Sequence, residues 1–138
     1  MNILISCSQL HTQCKRNASG LNKKEKTFIQ KGGHIRGVSD IPCPYIDAVR
    51  EHLDIGQSVR HSEKYQGVFM VVGDERKSIS SMSIDVESLS IDTPLVALWS
   101  NDPTYAEYLM STFKIAWEQS IPAAQRIEEM LNEGPLDV

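Results

Sequence analysis

One run of the sequence limits the fold more than any other: Gly67-Val68-Phe69-Met70-Val71-Val72 contains no polar side chain. A strand with one wet face alternates polar and apolar residues, so an unbroken apolar run reads as a strand covered on both sides. Covering layers are then needed above and below it. Gly73-Asp74-Glu75 reads as a turn, and Arg76–Met82 returns with alternation, which makes the run one arm of a hairpin.

The covering layers are visible on either side in sequence. Asn2–Cys7 is a short apolar strand candidate. Asn22 is placed to cap a helix over Lys23–Lys31 that turns Phe28 and Ile29 inward, and Gly32-Gly33 stops it. His34–Ser39 alternates as a strand. Ile41-Pro42-Cys43-Pro44 begins a second helix, with Tyr45, Ile46, Val49 and Leu53 as its apolar stripe. Gln57–Ser62 is a weak strand, and Leu95–Trp99 the last strong one. Asp102 then caps a helix with Pro103 in its first turn. Along it Tyr105, Tyr108, Leu109, Thr112, Phe113, Ala116 and Trp117 recur at spacings of three and four, predicting an amphipathic helix with an aromatic face. Pro122 ends or kinks the helix near Ser120, and the restarted helix carries Ile127, Met130 and Leu131 up to Gly134-Pro135. Helices alternating with strands around a hairpin predict a mixed α/β fold, a β-sheet flanked by helices, over an all-α or all-β one.

Size and composition agree with a single domain over residues 1–138. The 138 residues are 41% apolar and 23% charged, ordinary for a soluble chain. The formal charge is -4, which argues against a general nucleic-acid binder, although a small basic patch is compatible with it. No direct nucleic-acid binding is therefore expected. No apolar run approaches the roughly 20 residues of a membrane span, and Met1–Cys7 is too short and lacks the basic region of a signal peptide. A cytoplasmic protein without membrane contact is expected. Cys7, Cys14 and Cys43 are odd in number and form no C-x-x-C pair, so they read as inert thiols.

Motifs of known chemistry are scarce. Gly32-Gly33-His34-Ile35-Arg36-Gly37 lacks the Gly-Lys-Ser/Thr ending of a phosphate loop, and its glycines precede a strand instead of following one. His11, His34, His52 and His61 include no i, i+4 pair and no accompanying carboxylate signature, so no metal and no cofactor are expected. His61, next to Arg60 and two residues before Glu63, reads either as a proton-sensitive or ligand-binding group or as a strand-end histidine satisfied by a carboxylate. Trp99-Ser100-Asn101-Asp102 lies between a strand end and a helix N-terminus, where α/β sheets bind ligands; simple capping by Asp102 explains it equally.

Two blocks carry a family resemblance. The first is Lys31-Gly32-Gly33-His34-Ile35-Arg36-Gly37-Val38-Ser39-Asp40-Ile41 with Ser58-Val59-Arg60-His61. The second is Leu98-Trp99-Ser100-Asn101 with Phe113-Lys114-Ile115-Ala116-Trp117-Glu118-Gln119-Ser120-Ile121-Pro122-Ala123-Ala124-Gln125-Arg126-Ile127. Over roughly residues 30–130 the chain resembles the sensory domain of archaeal histidine kinases. That family is similar in turn to the effector-binding region of TrmB-type transcriptional regulators, whose fold resembles one half of phospholipase D. Ser39-Asp40 stands where the family has Thr-Glu, and Ser120 where it has alanine. The resemblance implies a phospholipase D-like half domain whose long C-terminal helix is kinked near Pro122. Phospholipase D enzymes need a His-x-Lys on the strand before an Asp turn. The matching strand, Gly67–Val72 before Asp74, holds neither residue, so no enzyme is expected.

The resemblance therefore implies signal transduction or transcription regulation without catalysis. Arg36, Arg60, His61, Trp99, Ser100 and Asn101 are the expected contacts of a small-molecule ligand. Trp117, Arg126, Ile127 and Met130 are expected on a partner or signalling helix, with covering the chain's own core as the alternative. A homodimer is expected, and a histidine kinase or transcription regulator in trans would supply the output, since the sequence ends at Val138 soon after the helix. Two other functions compete: a phosphodiesterase with a rearranged site, and a protein-interaction module without a ligand.

Overall fold

The computed structural model describes residues 3–7, 21–41, 46–64, 68–81 and 97–133. The readings at His11, Cys14, Pro42–Tyr45, Leu95–Val96 and Gly134-Pro135 lie outside them. Seven strands form one mixed sheet: Ile3–Cys7 (β1), His34–Ser39 (β2), Ser58–His61 (β3), Val68–Val72 (β4), Lys77–Ser81 (β5), Ala97–Ser100 (β6) and Ile121–Pro122 (β7). Their order is β6-β5-β4-β1-β2-β3-β7. β1, β2 and β3 run parallel, and every other neighbouring pair is antiparallel. The helices are Leu21–Gln30 (α1), Ile46–Asp54 (α2), Pro103–Glu118 (α3) and Ala123–Asn132 (α4).

The apolar run forms an interior strand with one face seen to be covered, by α3. β4 pairs with β1 on one side and with β5 on the other, and Phe69 and Val71 are buried. The hairpin turns through residues 73–76, where Arg76 takes a left-handed φ of 53°. The fold is thus the mixed α/β sheet flanked by helices that the sequence predicts.

Successive residues of a strand point to opposite faces, and this alternation sorts the helices. β2 and β3 pair in the register Arg36↔Ser58, Gly37↔Val59, Val38↔Arg60 and Ser39↔His61. On the face of Val38, α3 seats Ala106, Leu109, Phe113 and Ala116 against Val38, Phe69 and Val71. On the face of Val59, α2 and α4 bury Ile46, Val49, Ala123, Ile127 and Met130 together with Ile41. Each fully buried aliphatic or aromatic side chain contributes roughly 1.5–3 kcal/mol. Packing, more than intrinsic propensity, therefore holds each helix in place. Beside them, Glu25 of α1 is buried, accepts a 2.6 Å hydrogen bond from Gln57 Nε2 and lies 4.0 Å from His52 Nδ1 at the end of α2.

Several local expectations shift. Asn22 is inside the first turn of α1 instead of capping it. Ile41 is not helical: it extends from β2, fully buried, and α2 starts at Ile46. Asp102 is the N-cap of α3, its carboxylate accepting from Thr104 N at 2.9 Å. The expected kink at Pro122 is a complete break, because Ile121 and Pro122 leave the helix to pair with β3 before α4 begins. Tyr108 stays 66% exposed, stacked on the half-buried Tyr105 with ring centroids 6.5 Å apart. The aromatic stripe of α3 is wider than its buried face.

Gly33 lets the turn after α1 close against the Phe28 ring, since a Cβ there would fall inside the ring's van der Waals envelope. Gly33→Ala is expected to destabilise the fold by about 1–3 kcal/mol through overpacking. Gly32→Ala meets nothing within 4 Å and bears only the strain of its φ of 92°, about 1 kcal/mol. Urea unfolding of the two variants checks the difference.

Candidate functional site: the cleft beside Trp117

On the α3 face of the sheet, Arg36 of β2 and Arg60 of β3 both reach the Trp117 ring. Their guanidinium carbons lie 5.7 and 5.2 Å from its centroid, within the range of cation–π attraction. Phe113, one helical turn earlier, lies 5.6 Å from Trp117 and anchors it to the core. Arg60 is also clamped to the helix end. Its Nε donates to Ser120 Oγ at 2.8 Å, a second guanidinium nitrogen donates to the Ser120 carbonyl, and Ser120 Oγ donates to the Trp117 carbonyl at 2.6 Å. Ser120 is buried where α3 stops and β7 starts. One arginine therefore ties the strand, the indole and the joint between α3 and α4.

Beside this contact lies a cleft of about 330 Å³ bounded by Arg36, Gly73, Met110, Phe113, Lys114 and Trp117. Ser111 completes it, its hydroxyl donating to the Glu107 carbonyl within the helix. The walls are mostly apolar, and the charged side chains on them are Arg36 and Lys114. That is the usual composition of a small-molecule site, an apolar body with few orienting polar groups.

His61 sits on the other face. Its Nδ1 accepts a 3.0 Å hydrogen bond from Ile41 N, so the neutral ring carries its proton on Nε2. Its pKa lies below the ordinary 6.5, chiefly because burial disfavours the imidazolium and then because of Arg126; Asp40, Glu63 and Glu129 pull the other way. Asp40, His61 and Glu63 bring three possible ligand atoms within 4.8 Å of one another. The neutral ring has one lone pair, however, and Ile41 N–H uses it. A metal ion would have to displace that bond or strip the Nε2 proton, so the ring as it is held offers no free lone pair to a metal.

The structure thus brings together Arg36, Arg60 and Trp117 and separates the other expected site residues from them. Arg60 and His61, neighbours in sequence, serve opposite faces. Trp99, Ser100 and Asn101 lie at the far edge of the sheet: Trp99 is 56% exposed, and Ser100 Oγ accepts from Asp102 N. Arg126 Nε points to the Ile41 carbonyl at 3.5 Å, while Ile127 and Met130 fill the core over β3. Met110, Lys114 and Gly73 carry no motif and were not singled out from sequence. The signal for the first two is the spacing of Met110, Phe113, Lys114 and Trp117, one i, i+3, i+4, i+7 stripe that leads off the buried face.

The fold is similar to that of TrmBL2, described as an archaeal chromatin protein with a novel mode of DNA binding. The TM-score is 0.62 at 10% sequence identity, over 86% of this chain and 44% of that one. The chain thus spans less than half the length of the solved protein. No protein-family model and no curated protein matches the sequence. The likeness to TrmBL2 is one of fold, and the histidine-kinase side of the resemblance finds no support. The expectation of no nucleic-acid binding is overturned, because a chain with this fold is a DNA-binding chromatin protein. Net charge averages over the whole surface and does not by itself exclude a local basic patch. No helix among the described residues is long and apolar enough to cross a membrane.

His61 sets a pH dependence. Unfolded, the ring takes up a proton near 6.5; folded, it holds out to lower pH. Between those limits the unfolded chain binds more protons, so stability is full above 6.5 and falls as pH drops through the window. Urea midpoints measured from about pH 5 to pH 8 are expected to show this loss, and His61→Asn to flatten it. His61→Phe, which strands the Ile41 N–H, is expected to destabilise by about 1–3 kcal/mol at neutral pH.

Proposed function

We propose that this chain is a non-catalytic regulatory module that binds a small ligand in the cleft beside Trp117 and reports it through α4. The Arg60 clamp carries the reading. A ligand that displaces Trp117 or draws on its cation partners acts on the same guanidinium that holds Ser120, and Ser120 fixes where α4 begins. The likeness to a chromatin protein supports a regulatory setting, and DNA binding as described for TrmBL2 enters here as a property of the longer assembly to which such a module contributes.

The sheet also favours binding over turnover. β4, the strand that would hold a His-x-Lys nucleophile pair, is Val-Phe-Met-Val-Val, and its Phe69 and Val71 are buried in the core. Without a His-x-Lys pair on β4, transfer by the phospholipase D route lacks its nucleophile.

A thermal-shift screen of small metabolites tests this reading. A ligand at about a hundredfold over its Kd adds about 2.7 kcal/mol of stability, a shift of several degrees in Tm. The expected hit stabilises the wild type, fails with Trp117→Ala, and changes amide exchange in residues 123–132. With Arg60→Met, binding is expected to persist while the exchange response in α4 is lost. Hydrolysis of a phosphodiester substrate that disappears with His61→Ala would overturn the proposal.

A further inference from the structure

The cleft has a charge character that its role as a ligand site does not require. Arg36 and Lys114 both border it, both are exposed, and neither makes a hydrogen bond or ion pair among the described residues. Nearby cations are matched: Arg76 pairs with Glu107 at 3.0 Å and Lys77 with Glu75 at 3.0 Å. None of the described residues that line the cleft is a carboxylate, so among them its rim carries two positive charges beside an apolar wall of Met110, Phe113 and Trp117.

We infer that the cleft takes a phosphate-bearing ligand, its phosphate held between Arg36 and Lys114 and the rest of the molecule against Phe113 and Trp117. This rests on the cleft being the ligand site. A guanidinium can face an aromatic ring while its edge donates to an oxyanion, and Arg36 is already placed over Trp117. An ammonium supplies a second, more mobile charge. Two cations suit a phosphate monoester, with about -1.5 to -2 charge at neutral pH, better than a carboxylate with one. The volume of about 330 Å³ admits a small molecule beyond the phosphate itself. The same chemistry is offered by a free phosphorylated metabolite and by a nucleic-acid backbone, and the experiment separates the two.

The two tryptophan indole N–H signals of the full chain, assigned with Trp99→Phe, are followed by NMR during titration with inorganic phosphate, adenosine monophosphate, adenosine, and a short DNA duplex. Saturable movement of the Trp117 signal by the monophosphate and not by adenosine is expected. Arg36→Gln and Lys114→Gln are each expected to weaken it roughly tenfold, the loss of one charge-assisted hydrogen bond. The Lys114 variant changes an exposed residue, so it tests the idea even if the Arg36 variant folds poorly. Movement by the duplex alone, lost in both variants, supports the phosphate chemistry and assigns its source to nucleic acid. Movement by inorganic phosphate alone, lost in both variants, supports it with phosphate itself as ligand. Adenosine acting as strongly as its monophosphate, or unchanged affinity in Lys114→Gln, overturns the inference and leaves the cleft a site for neutral ligands. A Trp117 signal that no probe moves overturns inference and cleft reading together. Phosphate-dependent binding that leaves α4 exchange unchanged overturns only the regulatory readout.

Discussion

Everything that distinguishes the two sides of this molecule follows from the alternation of side chains along β2 and β3. Val38 and Arg60 share a face, as do Ser39 and His61. One residue of slip would turn Arg60 away from Trp117 and bring His61 under α3, exchanging a cation for a buried imidazole. Register is fixed because Val59 and Val38 must each be buried, on opposite faces, in separate cores. The positions of the charged groups are therefore consequences of where two valines have to go.

Against this background Arg60 has an unusual position. It is half-buried, with its charge over an aromatic face and two of its N–H groups committed to acceptors on Ser120. A lysine would keep the charge and lose the fork that reaches both the hydroxyl and the carbonyl. The serine at position 120, where the resembling family has alanine, supplies one of those two acceptors. A departure that looked mild in the sequence thus adds a contact to the joint between helices.

The fold was legible wherever a single physical demand dominated. The apolar run pointed to an interior strand, and β4 lies between β1 and β5 with α3 over Phe69 and Val71; Asp102-Pro103 marked the start of α3 because capping is local chemistry. What escaped was set by tertiary context. A two-residue strand has no periodicity, so Ile121-Pro122 read as a helix breaker when it is also a sheet edge. Tyr108 fits the helical stripe by spacing, yet it stays in solvent beside the buried line of Ala106, Leu109, Phe113 and Ala116. At the site, Arg36, Arg60 and Trp117 were named from sequence, but as parts of separate roles. Arg60 and His61 read as a unit because they are adjacent, and it is adjacency on a strand that parts them. Lys114 resembles any solvent-facing lysine until the cleft beneath it is seen.

The short strand β7 has an effect on the margin of the sheet. It lays Pro122 opposite Arg60 along the outermost row. Proline has no amide hydrogen to offer a further strand. Among the described residues the sheet ends on that flank at this proline, within two residues of the Ser120 contact that joins the indole to α4. The flank closest to the ligand cleft's readout thereby ends on a strand with one backbone donor fewer than its length would give.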